Sequence, residues 1–125
     1  MTTINLISDT STKLLLWGIV IHLFCDWLLQ NHAISQNKSN LLHPASWIHS
    51  GIHLIGIWLI FPTWMAVLIA LSHLLIDTRV PLQWWRKFYR QTTEGDIALH
   101  VSIWSDQVLH IVVLAIAALV VGGLK

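Results

Sequence analysis

Four apolar stretches of this chain each hold two residues capable of binding a metal, placed four positions apart. They are His22 with Asp26, His49 with His53, His73 with Asp77, and Asp106 with His110. Residues four apart stack on one face of a helix. A charged side chain at the centre of a membrane helix costs about 2.5–3.5 kcal/mol on insertion scales unless it finds a partner. A chain that repeats the pattern four times has to bring those faces together. That requirement points to helices packed around a shared polar interior.

The surroundings of the pairs suit a bilayer. Hydrophobic residues make up 55% of the 125-residue chain and charged ones 10%, against about 25% charged in soluble domains. Mean hydropathy is +0.66. The apolar stretches fall at about residues 13–30, 46–61, 63–78 and 101–121, the last with an interfacial lead-in from Ile97. Pro62 breaks the chain between the second and third and predicts a tight hairpin there. The expected fold is all-α, an integral membrane four-helix antiparallel bundle forming one domain over residues 1–125. A cleaved signal peptide is a poor reading of the first stretch, which lacks a small-residue cleavage site and carries His22 and Asp26. The single cysteine, Cys25, excludes an internal disulfide, and packing is its expected role.

Charge distribution predicts an orientation. Lys38, Arg79, Arg86, Lys87 and Arg90 fall in the two loops on one side of such a bundle, and Lys13 and Lys125 fall on the other. The positive-inside rule then places the loops in the cytoplasm and both termini outside a cytoplasmic (inner) membrane. Residues 81–91 mix aromatic and basic side chains, as an interfacial segment on an anionic bilayer should. No other basic surface supports nucleic acid as a partner.

Depth ties the four pairs into one set. Counting about 1.5 Å per residue from the outward end of each span, His22, His53, His73 and His110 lie about 12–16 Å in. Asp26, His49, Asp77 and Asp106 lie about 18–22 Å in. The reversed Asp/His order in the fourth span is what an antiparallel helix needs to keep those two layers. Imidazole with carboxylate suits a divalent zinc, manganese or iron ion, and the lack of thiolates argues against a cysteine-type zinc site. Haem ligation by the histidine layer would leave three aspartates unexplained beside a porphyrin. Interhelical hydrogen bonding alone explains one such pair more readily than eight residues at a common depth.

Around these candidates, Gln30 continues the His22/Asp26 face by one turn and Gln107 neighbours Asp106. Either could orient a ligand through an outer hydrogen bond. Asp26, Asp77 and Asp106 are candidate catalytic groups, as ligand or general base. Arg79 and Arg86 are candidates for holding an anionic headgroup. His32, His43 and His100 fall at segment ends and read as interfacial residues. Ala66 and Ala70 read as packing contacts.

The stretches "HLFCDWLLQ" (22–30), "NK" (37–38), "LLHPASWIHSGIH" (41–53), "HLLID" (73–77) and "DQVLH" (106–110) resemble a bacterial multi-pass membrane family, domain of unknown function 3307. The resemblance covers nearly the whole chain. It implies that His22, Asp26, Gln30, His73, Asp77, Asp106, Gln107 and His110 share a site, with His49 fitting the pattern less closely. It carries no activity. A looser likeness is to membrane-bound metal-dependent hydrolases that place His-x3-Asp pairs in their spans.

Three functions compete on this reading. The leading one is a metal-dependent hydrolase of a lipid or lipid-linked phosphate. The second is a metal or proton transporter or sensor, which the apolar outward end disfavours. The third is a small subunit whose partners are other membrane proteins and whose polar core is structural.

Overall fold

The computed structural model describes residues 9–91 and 94–124, and every regular element among them is helical. The elements are α1 (Asp9–Leu23), a π-helical turn (Phe24–Leu28), α2 (His32–Asn37), α3 (Pro44–Trp58), α4 (Thr63–Asp77), α5 (Val80–Phe88) and α6 (Gly95–Gly123).

The helix limits follow from local chemistry. Asn31 caps α2 by accepting the Ile34 N–H at 2.9 Å, and His43 caps α3 by accepting the Ala45 N–H through Nδ1 at 3.0 Å. Each satisfies a donor that has no partner in the first turn. Pro44 occupies the first position of α3, where its missing N–H costs nothing. Pro62 sits in extended backbone just ahead of α4, so the hairpin between α3 and α4 turns where the sequence places it. Two helices lie in stretches predicted only as polar or interfacial, α2 and α5. The axis bends by 59° between α4 and α5. Arg79 makes that corner in left-handed backbone (φ 66°), and its Nη1 donates to Ser102 Oγ at 2.5 Å.

Packing is antiparallel at each contact. Along α1, a Cβ at Gly18 would touch Leu114, and His22 reaches Gln107, so α1 and α6 run in opposite senses. Gly56 of α3 approaches Ile21, and His49 meets Asp26. Ser50 Oγ donates to the Ala70 carbonyl at 2.9 Å, linking α3 to α4. His110 meets Asp77, linking α4 to α6. A Cβ at Gly56 would lie 2.7 Å from Ile21 Cγ2, closer than carbon atoms tolerate, so only glycine permits this approach.

The burial pattern is inverted relative to a water-soluble protein. Trp17, Trp27, Leu28, Ile55 and Leu59 are among the exposed large apolar residues, whereas the residues of the four His/Asp pairs are all buried. An apolar exterior on this scale is the mark of a surface facing lipid or partner protein. Two helical runs, Asp9–Leu28 and Gly95–Gly123, are long and apolar enough to cross a membrane. A third crossing results if α4 and α5 form one bent span. Taken singly, α3 and α4 have 15 residues each, short of the usual length of about 20.

Candidate metal centre

Directly below an apolar cluster of Ile57, Phe61, Met65, Ala66, Ile69, Leu114, Ala117 and Ala118, the interior becomes polar. The change occurs in all four packed helices at once. It comes one turn after Ile57 read backwards, one turn after Ile69 read forwards, and one turn before Leu114 on α6. The imidazoles of His22, His53, His73 and His110 meet there. Ring centroids are 3.7 Å apart for His53–His73, 4.2 Å for His73–His110, 4.8 Å for His22–His110 and 5.1 Å for His22–His53. Asp26, His49, Asp77 and Asp106 lie on the side away from the apolar cluster. None of the eight residues is more than 6% exposed.

Two subsets have the geometry of a metal-ligand set. Ligand atoms of Asp26, His49, His53 and His73 all lie within 4.8 Å of one another, as do those of His73, Asp77 and His110. Tetrahedral zinc with bonds of about 2.05 Å places its ligand atoms about 3.3 Å apart. Asp26 Oδ1 is 3.0 Å from His49 Nε2 and 3.6 Å from His53 Nε2. Asp77 Oδ1 is 3.2 Å from His110 Nε2, and its Oδ2 is 3.5 Å from His73 Nδ1. These separations bracket the tetrahedral value.

Hydrogen bonding also leaves a gap that a cation fits. Both ring nitrogens of His73, Nε2 of His53 and Nδ1 of His49 are buried with no hydrogen-bond partner. Orphaned buried groups cost about 1–3 kcal/mol each. Among the described residues, the buried carboxylates number three, and the one ammonium beside them is that of Lys38, 3.8 Å from Asp26 Oδ1. With neutral imidazoles the formal charge is two negative, the complement of one divalent cation. Buried charge of that size is expensive without a counter-ion. The donor set therefore fits a divalent metal.

The sequence family is decided by extent. Residues 14–125 match the family described as protein of unknown function (DUF3307), a span that leaves out only the start of α1 among the packed helices and includes every residue of the cluster. The chain belongs to the DUF3307 family. No curated protein and no solved structure matches it.

Within this DUF3307 chain, the remaining sequence candidates take different places. His22 and Asp106 lie in the cluster but outside both ligand sets. Gln107 joins them to it: its Oε1 accepts from His22 Nε2 at 3.1 Å, and its Nε2 donates to Asp26 Oδ2 at 2.7 Å and to Asp106 Oδ2 at 3.4 Å. That amide fixes the His22 tautomer with the proton on Nε2. Gln30 has a buried Oε1 that accepts no hydrogen bond, so it holds none of these groups in place through that atom. Arg79 and Arg86 tie α5 to α6, Arg79 through Ser102 and Arg86 through the Ala98 carbonyl at 3.5 Å. His32 and His100 are exposed, and His43 serves as a helix cap.

Lys38 is the member of the site that sequence reasoning used only for orientation. Its side chain is 18% exposed while its Nζ reaches Asp26, so it connects a closed polar interior to the surface. The signal available in the sequence was the "NK" pair at 37–38, whose partner lies 12 residues back beyond the π-helical turn. That turn buries the adjacent residues Cys25 and Asp26 together, and π-turns recur at functional sites. On the far side of the rings, a cavity of about 10 Å³ is lined by His22, His53, Ser72, His73 and His110. It is roughly large enough for one water molecule.

Proposed function

We propose that this chain is a metal-binding protein of the cytoplasmic membrane. In this reading α1 with its π-turn, α3, α4 and α6 cross the bilayer as a four-helix antiparallel bundle, one domain with both termini outside. The short α3 and α4 cross where the bilayer thins locally, at a cost of fractions of a kcal/mol per Å. The buried His/Asp cluster holds a divalent ion, zinc, manganese or iron. The observation that carries this reading is His73, which belongs to both ligand sets and has neither ring nitrogen hydrogen-bonded. Asp26, His49 and His53 complete one set, Asp77 and His110 the other, and His22, Gln107 and Lys38 orient or neutralise the carboxylates.

A second reading, hydrolysis of a lipid or lipid-linked phosphate, is favoured by Asp106, a buried carboxylate of the cluster that belongs to neither ligand set. A divalent ion there would acidify a water to a pKa of about 7 and polarise a phosphoryl oxygen. Asp106, outside both ligand sets, is the carboxylate left to accept a proton, with Gln107 holding its Oδ2. The site is closed in this conformation, so a substrate phosphate reaches it only after the loop side carrying Lys38 opens.

The deciding experiment is elemental analysis of protein purified in detergent, wild type beside Asp77→Asn and Asp106→Asn. Stoichiometric metal in wild type, lost in Asp77→Asn and retained in Asp106→Asn, supports the ligand assignment. Absence of metal from wild type after incubation with zinc, manganese or iron refutes it and leaves a structural polar core. Release of inorganic phosphate from phosphatidate, a phosphomonoester lipid, by the loaded wild type, abolished in Asp106→Asn, would establish the hydrolase reading.

A further inference from the structure

Outside the metal centre lies a groove of about 850 Å³ between α5 and α6. Its walls are Trp84 and Trp85 from α5, and Val101, Trp104, Val108 and Val112 from α6. All but Val101 are more than 40% exposed. From Val101 to Val112 the groove follows α6 for about 16 Å at 1.5 Å per residue. Its two ends differ in chemistry. On the α5 side, the exposed Lys87 follows the wall residue Trp84 by one turn and the exposed Arg90 precedes the lining residue Gln91, while Arg86 donates to the Ala98 carbonyl. The other end, at Val112, lies among apolar residues of the long helix.

The groove is held open by its own walls. Trp84 stacks on Phe88 with centroids 5.3 Å apart and planes 6° from parallel, and Trp85 stacks on Tyr89 at 5.3 Å and 7°. These i,i+4 stacks hold the indole rings along α5, so they do not fold into the space. The left-handed corner at Arg79, anchored on Ser102, sets the angle between the helices. A preformed apolar channel with a basic, aromatic mouth matches an amphiphile with one acyl chain inside and a negative headgroup at the rim.

We propose that this groove is a binding site for a single anionic phospholipid of the surrounding bilayer. One acyl chain lies along Val101–Val112, and the phosphate sits against Lys87 and Arg90. The site is separate from the metal centre: none of its wall residues belongs to either ligand set.

The test is native mass spectrometry of delipidated full-length protein in detergent, after incubation with phosphatidylglycerol or phosphatidylcholine at equal excess. One phosphatidylglycerol should be retained about tenfold or more over phosphatidylcholine, as juxtamembrane basic clusters discriminate. Combined Lys87→Gln and Arg90→Gln should bring that ratio near one. Val108→Trp or Val112→Trp should fill the groove and abolish retention of either lipid, while Leu119→Trp, further along the exposed face of α6, should leave it unchanged. Equal retention of the two lipids by wild type overturns the proposal, as does retention unchanged in both groove-filling variants; each describes annular lipid only. Where a groove variant does not fold, quenching of wild-type tryptophan fluorescence by chain-brominated phosphatidylglycerol decides instead. Total wild-type emission, to which Trp84, Trp85 and Trp104 contribute, should be quenched more by it than by brominated phosphatidylcholine, and equal quenching refutes the site. Neither readout involves metal, so the outcome is independent of the metal assignment.

Discussion

His73→Leu should stabilise the metal-free protein and lose most or all of that advantage when metal is present. In metal-free protein His73 places two ring nitrogens in the interior with no hydrogen-bond partner. Each orphan costs about 1–3 kcal/mol, and a water in the adjacent cavity of about 10 Å³ would relieve at most one. Leucine has a similar volume and no polar atoms, and the site already borders Ile69 and Leu114. In chelator the variant should therefore be more stable than wild type by about 1–3 kcal/mol. With metal at a hundred times its dissociation constant, wild type gains about 2.7 kcal/mol. The variant, having lost a ligand common to both sets, should gain almost none. The order of the two thermal midpoints in detergent should then narrow or reverse between EDTA and zinc. Equal destabilisation of His73→Leu in both conditions would refute the reasoning, because it would mean the imidazole nitrogens are satisfied by protein partners.

Three further outcomes follow from particular contacts. Lys38 Nζ lies 3.8 Å from Asp26 Oδ1, where a unit charge pair interacts by about 4 kcal/mol at an effective dielectric of 20. A cation on the same oxygen is repelled by it, so Lys38→Met should tighten metal binding about tenfold or more, read by competition with a chromophoric chelator; weaker binding would contradict this. Gly56→Ala should cost about 1–3 kcal/mol by forcing a Cβ onto Ile21, whereas Gly51→Ala, with nothing within 4 Å of its Cβ, should stabilise by about 0.5–1 kcal/mol. A cysteine at Arg86 in a Cys25→Ser background should react with a membrane-impermeant thiol reagent only after cells are opened; labelling of intact cells would reverse the proposed orientation.

How much of this protein could be read from its sequence depends on the range of the interaction involved. The all-helical class, the hairpin at Pro62 and the meeting of the four histidines all come from one-dimensional regularities. An i, i+4 pair chooses a helix face, and a constant 1.5 Å rise converts position into depth. The inverted order of Asp106 and His110 records in the sequence that α6 runs opposite to α4. The family resemblance was equally local, carried by motifs within single segments, and the match over residues 14–125 bears it out.

What the tertiary structure decided is which nitrogen meets which oxygen. Depth counting placed eight residues in a slab, but only lateral packing separates the two ligand sets from His22 and Asp106. By spacing Gln30 continues the ligand face and Gln107 only neighbours Asp106, yet Gln107 faces across to Asp26 on another helix while Gln30 lies past the π-turn with an orphaned oxygen. The π-turn breaks the regular rise on which the sequence argument relied. Lys38 and the α5–α6 groove depend on loop-borne helices folding back against the core, through the cap at Asn31 and the left-handed corner at Arg79. Those returns are set by side-chain contacts between residues as far apart as Arg79 and Ser102, and no periodicity along the chain encodes them.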